Sequence, residues 1–153
     1  MVFYGKYFHK LDSKNRMRLP SEYRSQMRNG WFMTKKSGYL SIYPKEMLDK
    51  LSEKFEDELI YSPEMELKME SFFGSMFQAE EDEQGRFVLP KEYRNELHID
   101  KEIVLVGVNN HINLWAKEVF EERQKSESGS DAMAGVLELL KKVEEKRQTT
   151  KKD

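Results

Sequence analysis

DSKNRMRLPSEYR (residues 12–24) and DEQGRFVLPKEYR (residues 82–94) are one phrase written twice. At a shift of 70 residues, seven of 13 positions are identical: Asp, Arg, Leu, Pro, Glu, Tyr and Arg. Random matching at ordinary amino-acid frequencies gives roughly one. Further along, YLSIYPKE (39–46) parallels HINLWAKE (111–118), with two extra residues in the second copy. The chain therefore holds two versions of one unit of about 40–45 residues.

Each copy follows the same local plan. An Asp-led turn comes first, then a period-2 stretch in which Met17 and Leu19 alternate with Arg16 and Arg18. Pro20 ends that strand and opens a short helix over SEYRSQM, where Tyr23 and Met27 share a face. Phe87, Leu89, Pro90, Tyr93 and Leu97 repeat the pattern. A hydrophobic strand follows, WFMT (31–34) or EIVLVGV (102–108), then a turn, then a last strand, YLSIY or INLW. A lone unit of three or four short strands cannot bury both faces. The expected architecture is α+β, two pseudo-twofold-related units closing one β-barrel-like core, with helices flanking it.

The helices lie around the copies. Met47, Leu48, Leu51, Phe55 and Leu59 form a helical stripe. Ser62 is placed to cap the next helix, with Pro63 at its first position. Met65, Met69, Phe72, Phe73 and Met76 are the expected buried face of that helix. A third helix is expected over 116–125. KSESGSD (125–131) reads as a linker. A last amphipathic helix carries Met133, Val136, Leu137, Leu140 and Val143 and ends in a frayed tail. The expected divisions are 1–60, first repeat with its following helix; 61–77, connecting helix; 78–125, second repeat; and 126–153, linker and terminal helix.

A chain of 153 residues is long enough to bury a core without staples, and it has no cysteine. That excludes thiolate zinc sites, iron–sulfur clusters and a Cys nucleophile. No apolar run approaches the roughly 18 residues of a membrane span, and the N-terminus lacks a signal-peptide core. A cytoplasmic protein without membrane attachment is the expectation. His9, His98 and His111 have no metal-ligand spacing, and no P-loop, GxGxxG or GxSxG occurs. No catalytic residues, metal or cofactor are expected, and the chain does not read as an enzyme. Glu80, Glu81, Asp82 and Glu83 could attract a cation, against the plainer reading of a solvated acidic loop.

The net charge of −2 hides a strong asymmetry. Residues 6–36 carry nine basic side chains against two acidic, a net of +7. Residues 53–83 carry two basic against eleven acidic, a net of −9. Screening limits each patch's reach to about 8 Å at physiological salt, so a polyanion meets the local charge and not the sum.

D-x-x-x-R is a weak motif alone, but here it recurs at the same place in both copies. Asp12 and Asp82 can bond backbone amides two or three residues on and close the turn. Asn15 and Gly85 follow where positive φ is expected, Gly being free to adopt it and Asn next best. Arg16 and Arg86 then start the strand. One reading makes each Asp–Arg pair structural, and the other gives the arginines a ligand.

GKYFHKLDSKNRMRLPSEYR, its echo EDEQGRFVLPKEYR, and KEIVLVGVNNHINLWAKEVFEE together resemble the MraZ family. The resemblance covers about residues 1–125 and continues into the terminal helix. It implies two AbrB-like swapped-hairpin units. It also implies a regulator of transcription at its own division and cell-wall operon promoter, bound to short direct repeats in double-stranded DNA. A homo-oligomeric ring is implied, with an octamer as one size, its first-repeat loops on one side, and a nucleoid-associated location. The DNA-facing loop maps to Asp12–Arg18. Lys14 and Arg16 become base or phosphate contacts, Arg18 and Lys10 backbone contacts, with Asn15 in the loop. Arg86 is the second copy's counterpart of Arg16. Asn15 departs from the family's usual Gly, and the acidic surroundings of Arg86 depart from a DNA-facing loop. The rival class is an oligomeric protein-binding scaffold or antitoxin-like module, for which the Met and Phe stripe of 65–76 would be the groove.

Overall fold

The computed structural model describes residues 2–57, 62–126 and 131–152. Leu59 of the expected stripe, the 60/61 boundary and linker positions 127–130 lie outside the described residues. The chain forms two compact units, Met1–Phe120 and Glu121–Asp153.

Seven strands and four helices build the first unit, among the described residues: β1 Lys6–Lys10, β2 Arg16–Arg18, α1 Ser21–Arg24, β3 Trp31–Lys35, β4 Leu40–Pro44, α2 Lys45–Asp57, α3 Pro63–Gly74, β5 Arg86–Val88, α4 Lys91–Glu96, β6 Glu102–Val108 and β7 His111–Ala116. A fifth helix, α5 Lys117–Ser126, starts in this unit, where Phe120 packs with Val104 and Trp115.

The strand register carries the repeat into three dimensions. β2 pairs antiparallel with β5, so that Met17 opposes Phe87, its own counterpart in the repeat. β4 pairs antiparallel with β7, so that Ser41 opposes Asn113, again its counterpart. Ser41 Oγ donates to Asn113 Oδ1 at 2.8 Å, so the central polar pair of this seam is mutually satisfied. A third correspondence lies at the edges: Tyr7 opposes Leu105, and the equivalent residues Phe77 and Met33 form an isolated bridge. Each copy thus completes its sheet with the other, and the shared core runs through Leu19, Leu89, Met33, Leu105, Leu40 and Leu114.

The barrel expectation needs correction. Five strands form an open sheet in the order β1-β6-β7-β4-β3, and β2 with β5 forms a separate two-stranded ribbon. No closed barrel exists among the described residues. The reason is local: β1 pairs with β6 over five residues, but its counterpart after Phe77 runs into Glu80, Glu81 and Asp82 and makes one bridge only. Strand β1 itself, KYFHK, is an element that sequence reading missed.

Several helices also differ from expectation. α1 ends at Arg24 instead of continuing through Met27, although Tyr23 and Met27 are both buried. Ser62 caps α3 as expected, its Oγ accepting from Met65 N–H at 3.1 Å. The face of α3 is not buried: Met65 and Phe72 are exposed, and Met69, Phe73 and Met76 are half-buried. Phe73 does meet Phe55 of α2 edge-on at 5.9 Å.

In the second unit, α6 (Ala132–Lys152) begins where Asp131 Oδ1 accepts from Met133 N–H at 3.0 Å. The tail expected to fray continues this helix to Lys152. Its Met133, Val136, Leu137, Leu140 and Val143 are all exposed.

Candidate nucleic-acid interface

The two Asp-led turns have the same hydrogen-bond pattern. In turn one (12–16), Asp12 N–H donates to Arg16 O at 3.1 Å, and Asn15 N–H donates to Asp12 O at 2.9 Å. Asp12 Oδ1 accepts from the amides of Lys14 (2.9 Å) and Arg16 (2.8 Å), and its Oδ2 accepts from Arg16 Nε at 2.8 Å. In turn two (82–86), Asp82 N–H donates to Arg86 O at 2.7 Å and Gly85 N–H to Asp82 O at 2.9 Å. Asp82 Oδ1 accepts from Gln84 and Arg86 amides, and Oδ2 from Arg86 Nε, each at 2.9 Å. An ionised carboxylate offers acceptor sites on both oxygens for all three bonds, which accounts for the D-x-x-x-R spacing. The amide of Arg16, above all, holds the Asp12 carboxyl below the usual carboxylate range; the amide of Arg86 does the same for Asp82. The fourth position bends left-handed in both turns, Asn15 at φ +59° and Gly85 at φ +78°.

The turns lead into the β2–β5 ribbon, where alternation sorts the side chains. Met17 and Phe87 point into the core, and Phe87 stacks edge-on against Trp31 at 4.8 Å. Their neighbours share the opposite face: Arg16 opposes Val88, and Arg18 opposes Arg86. Three arginines therefore share the outer face of a ribbon three residue pairs long. Arg18 and Arg86 stand directly across from each other, a like-charge pair that the Asp82 carboxylate on Arg86 partly offsets. Val88, on the same face opposite Arg16, is 52% exposed.

The sequence-derived site residues divide accordingly. Arg16, Arg18 and Arg86 come together on the ribbon. Lys14 is exposed on turn one, and Asn15 is half-buried behind it. Lys10 ends β1 and opposes Glu102 in register. Asp12, Asp82 and Gly85 hold the turns. Arg16 and Arg86 are each engaged at Nε by their own turn Asp. Partial burial lowers the pKa of His9, which keeps it largely neutral at pH 7 and outside the cationic face.

Different side chains brace the two turns from the opposite copy. Lys101, just before β6, donates from Nζ to Asn15 Oδ1 at 3.1 Å and to Asp12 O at 3.4 Å. Turn two is covered by Arg24: a Cβ on Gly85 would lie 2.6 Å from Arg24 Nη2. Arg24 Nη2 donates to Glu81 Oε2 at 2.9 Å, and Glu81 Oε1 accepts from Trp31 Nε1 at 2.8 Å. The carboxylates at 80–83 thus include Glu81 and Asp82 in structural roles. Among the described residues, no group of three or more His, Cys, Asp or Glu could hold a metal ion. Nor is any helix among them long and apolar enough to cross a membrane. Sequence reasoning missed the bracing roles of Lys101, Arg24 and Glu81, because nothing in local spacing connects them to the turns.

A doubled Asp-turn unit, zipped through counterpart strands, is the class of protein that this geometry defines. The MraZ protein family profile, described as antitoxin-like, matches residues 2–68 and again 72–136. The chain belongs to the MraZ family. It is 35% identical over 141 residues to the transcriptional regulator MraZ of Pediococcus pentosaceus, covering 87% of this chain and 94% of that one. It is 31% identical over 128 residues to that of Finegoldia magna, covering 83% and 90%. It is also 31% identical over 140 residues to that of Clostridium acetobutylicum, covering 91% and 99%.

Proposed function

We propose that this chain is a sequence-specific DNA-binding regulator of transcription, which reads double-stranded DNA with the β2–β5 ribbon and turn one. The observation that carries this reading is the shared outer face of Arg16, Arg18 and Arg86 over a core-facing Met17 and Phe87. B-DNA's major groove admits a two-stranded β-ribbon, and a bidentate arginine matches the O6 and N7 acceptors of guanine. Val88 suits a thymine methyl, and Lys14 a phosphate. The relatives' names as transcriptional regulators support the same role. The pairing of counterpart strands supports a swapped-hairpin arrangement, with residues 1–60 and 78–125 making one reading body.

A ribbon this short contacts few base pairs, so one subunit binds weakly. Several subunits on tandem direct repeats turn later contacts into intramolecular ones at high effective concentration. A homo-oligomeric ring at the promoter of its own operon satisfies that need. The exposed apolar stripe of α6 supports 126–153 as an assembly element. Deleting 126–153 then reduces the oligomer by light scattering, and an unchanged oligomer excludes that part. The test of the main reading is fluorescence anisotropy with a duplex from upstream of its gene, over several salt concentrations, for wild type and Arg18→Ala. Repeat-dependent binding with a steep salt slope, weakened by Arg18→Ala, is the expected result. Binding indifferent to both sequence and Arg18 overturns it. No binding at low salt by assembled protein favours the protein-binding scaffold.

A further inference from the structure

We infer that Lys101 is a positioning residue for the DNA-reading loop of the other repeat: it latches turn one through Asn15 and so fixes the direction in which Lys14 points. The inference rests on the proposed DNA-reading role of that loop. Lys101 lies 89 residues from Asp12 and 86 from Asn15 in the chain, yet its ammonium reaches both, the side-chain oxygen of Asn15 and the main-chain oxygen of Asp12. Its own backbone is anchored next to the loop, since Leu11 N–H donates to Lys101 O at 2.7 Å. The ammonium therefore projects from a fixed point onto the two carbonyls on either side of Lys14. A second strut comes from the same repeat: Leu89 N–H donates to Asn15 O at 3.1 Å.

The residue at position 15 acquires a purpose in this arrangement. Left-handed backbone at φ +59° favours glycine, as turn two has at Gly85. Glycine has no side-chain oxygen for Lys101 to hold. Asn is a side chain that tolerates this conformation and also supplies an acceptor. Turn two has no such latch: its glycine instead leaves room for the Arg24 guanidinium. A half-buried Lys101 that donates to two carbonyls is oriented toward the protein. That distinguishes it from Lys14 and Arg18, which are exposed.

The test is a double-mutant cycle in DNA affinity. Wild type, Lys101→Ala, Asn15→Gly and the double variant are titrated by anisotropy against the upstream duplex at several salt concentrations. Arg18→Glu serves as the control for DNA reading, and melting temperature as the control for folding. Lys101→Ala is expected to weaken binding about tenfold, the scale of one hydrogen bond from a charged donor. The salt slope falls by no more than about one, because the misaimed Lys14 is the phosphate contact at risk, and in a Lys14→Ala background the same substitution leaves the slope unchanged. In the Asn15→Gly background the same substitution costs less than about threefold, and Lys101→Arg restores most of the affinity. Amide exchange at Lys14 and Asn15 accelerates in Lys101→Ala without DNA present. A slope that Lys101→Ala still reduces by about one in the Lys14→Ala background would make Lys101 a direct phosphate contact and overturn the inference. So would an equal loss in the wild-type and Asn15→Gly backgrounds, or an unchanged amide exchange. If Arg18→Glu also leaves binding intact, the DNA-reading role itself fails; if only Lys101→Ala is silent, the latch alone fails.

Discussion

Turn one and turn two are the same loop in different company. From Asp to Arg their hydrogen bonds match partner for partner, with corresponding lengths differing by at most 0.4 Å. What differs is everything that reaches them from outside. Turn one carries Lys14 and leads to Arg18; turn two carries Gln84 and leads to Val88. Lys101 braces the first through Asn15, and the Arg24–Glu81 pair covers the second. The lesson is that backbone geometry survives duplication because the turn's own main-chain bonds and its Asp carboxylate satisfy it. The charge on the surface is independent of that geometry and can diverge.

The comparison predicts that core positions behave alike. Leu19→Ala and Leu89→Ala remove counterpart side chains that are both almost fully buried. Each is expected to cost about 3 kcal/mol, matched to within about 1 kcal/mol, by urea denaturation. A large inequality would break the equivalence of the two halves.

Surface positions should behave differently. Arg18→Glu is expected to lower DNA affinity by about 100-fold without changing the melting temperature. Val88→Arg, which gives turn two's strand the first copy's residue, should tighten binding and steepen the salt slope by about one. A tightened complex would sharpen the view that the copies diverged in charge alone. An unchanged slope would place DNA away from β5.

The bend residues are expected to show a smaller asymmetry. Gly85→Ala costs about 1–2 kcal/mol, because the new Cβ strains a left-handed residue and displaces Arg24 from Glu81. Asn15→Gly should change stability by less than about 1 kcal/mol, since strain relief offsets the lost Lys101 bond. Thermal denaturation of both variants decides it.

The smallest effect is electrostatic and shared. Both turn carboxyls have folded pKa values below the ordinary one, so their contribution is complete above the unfolded carboxylate range. It is lost as pH falls through the lower folded values. NMR titration should place Asp12 and Asp82 both below the ordinary aspartate value, and Asp12→Asn and Asp82→Asn should each flatten the acid limb of the stability curve. A normal titration of either would show that its turn opens in solution.

Much of this was legible in the amino-acid order. The doubled phrase exposed the duplication, the Asp-led turns, the Ser62 cap and the alternation that puts Met17 inward and Arg18 outward. Those features are local: each depends on residues within a few positions, where spacing and stereochemistry suffice. The edge strand β1 was not legible, because KYFHK acquires its extended form by pairing with β6, nearly 100 residues away. The face of α3 was misread as buried because a helical stripe records an apolar side without recording what covers it.

The sequence by itself determined that there are two copies, that each turns on an Asp, and that positive charge collects in the first. Only the tertiary structure decided that Arg86 joins Arg16 and Arg18 on one face, and that Lys101 reaches across to Asn15. Both depend on antiparallel pairing between copies. That register is set by burying Met17, Phe87 and their neighbours in one core, and its partners lie 68 or more residues apart, beyond the reach of any local pattern.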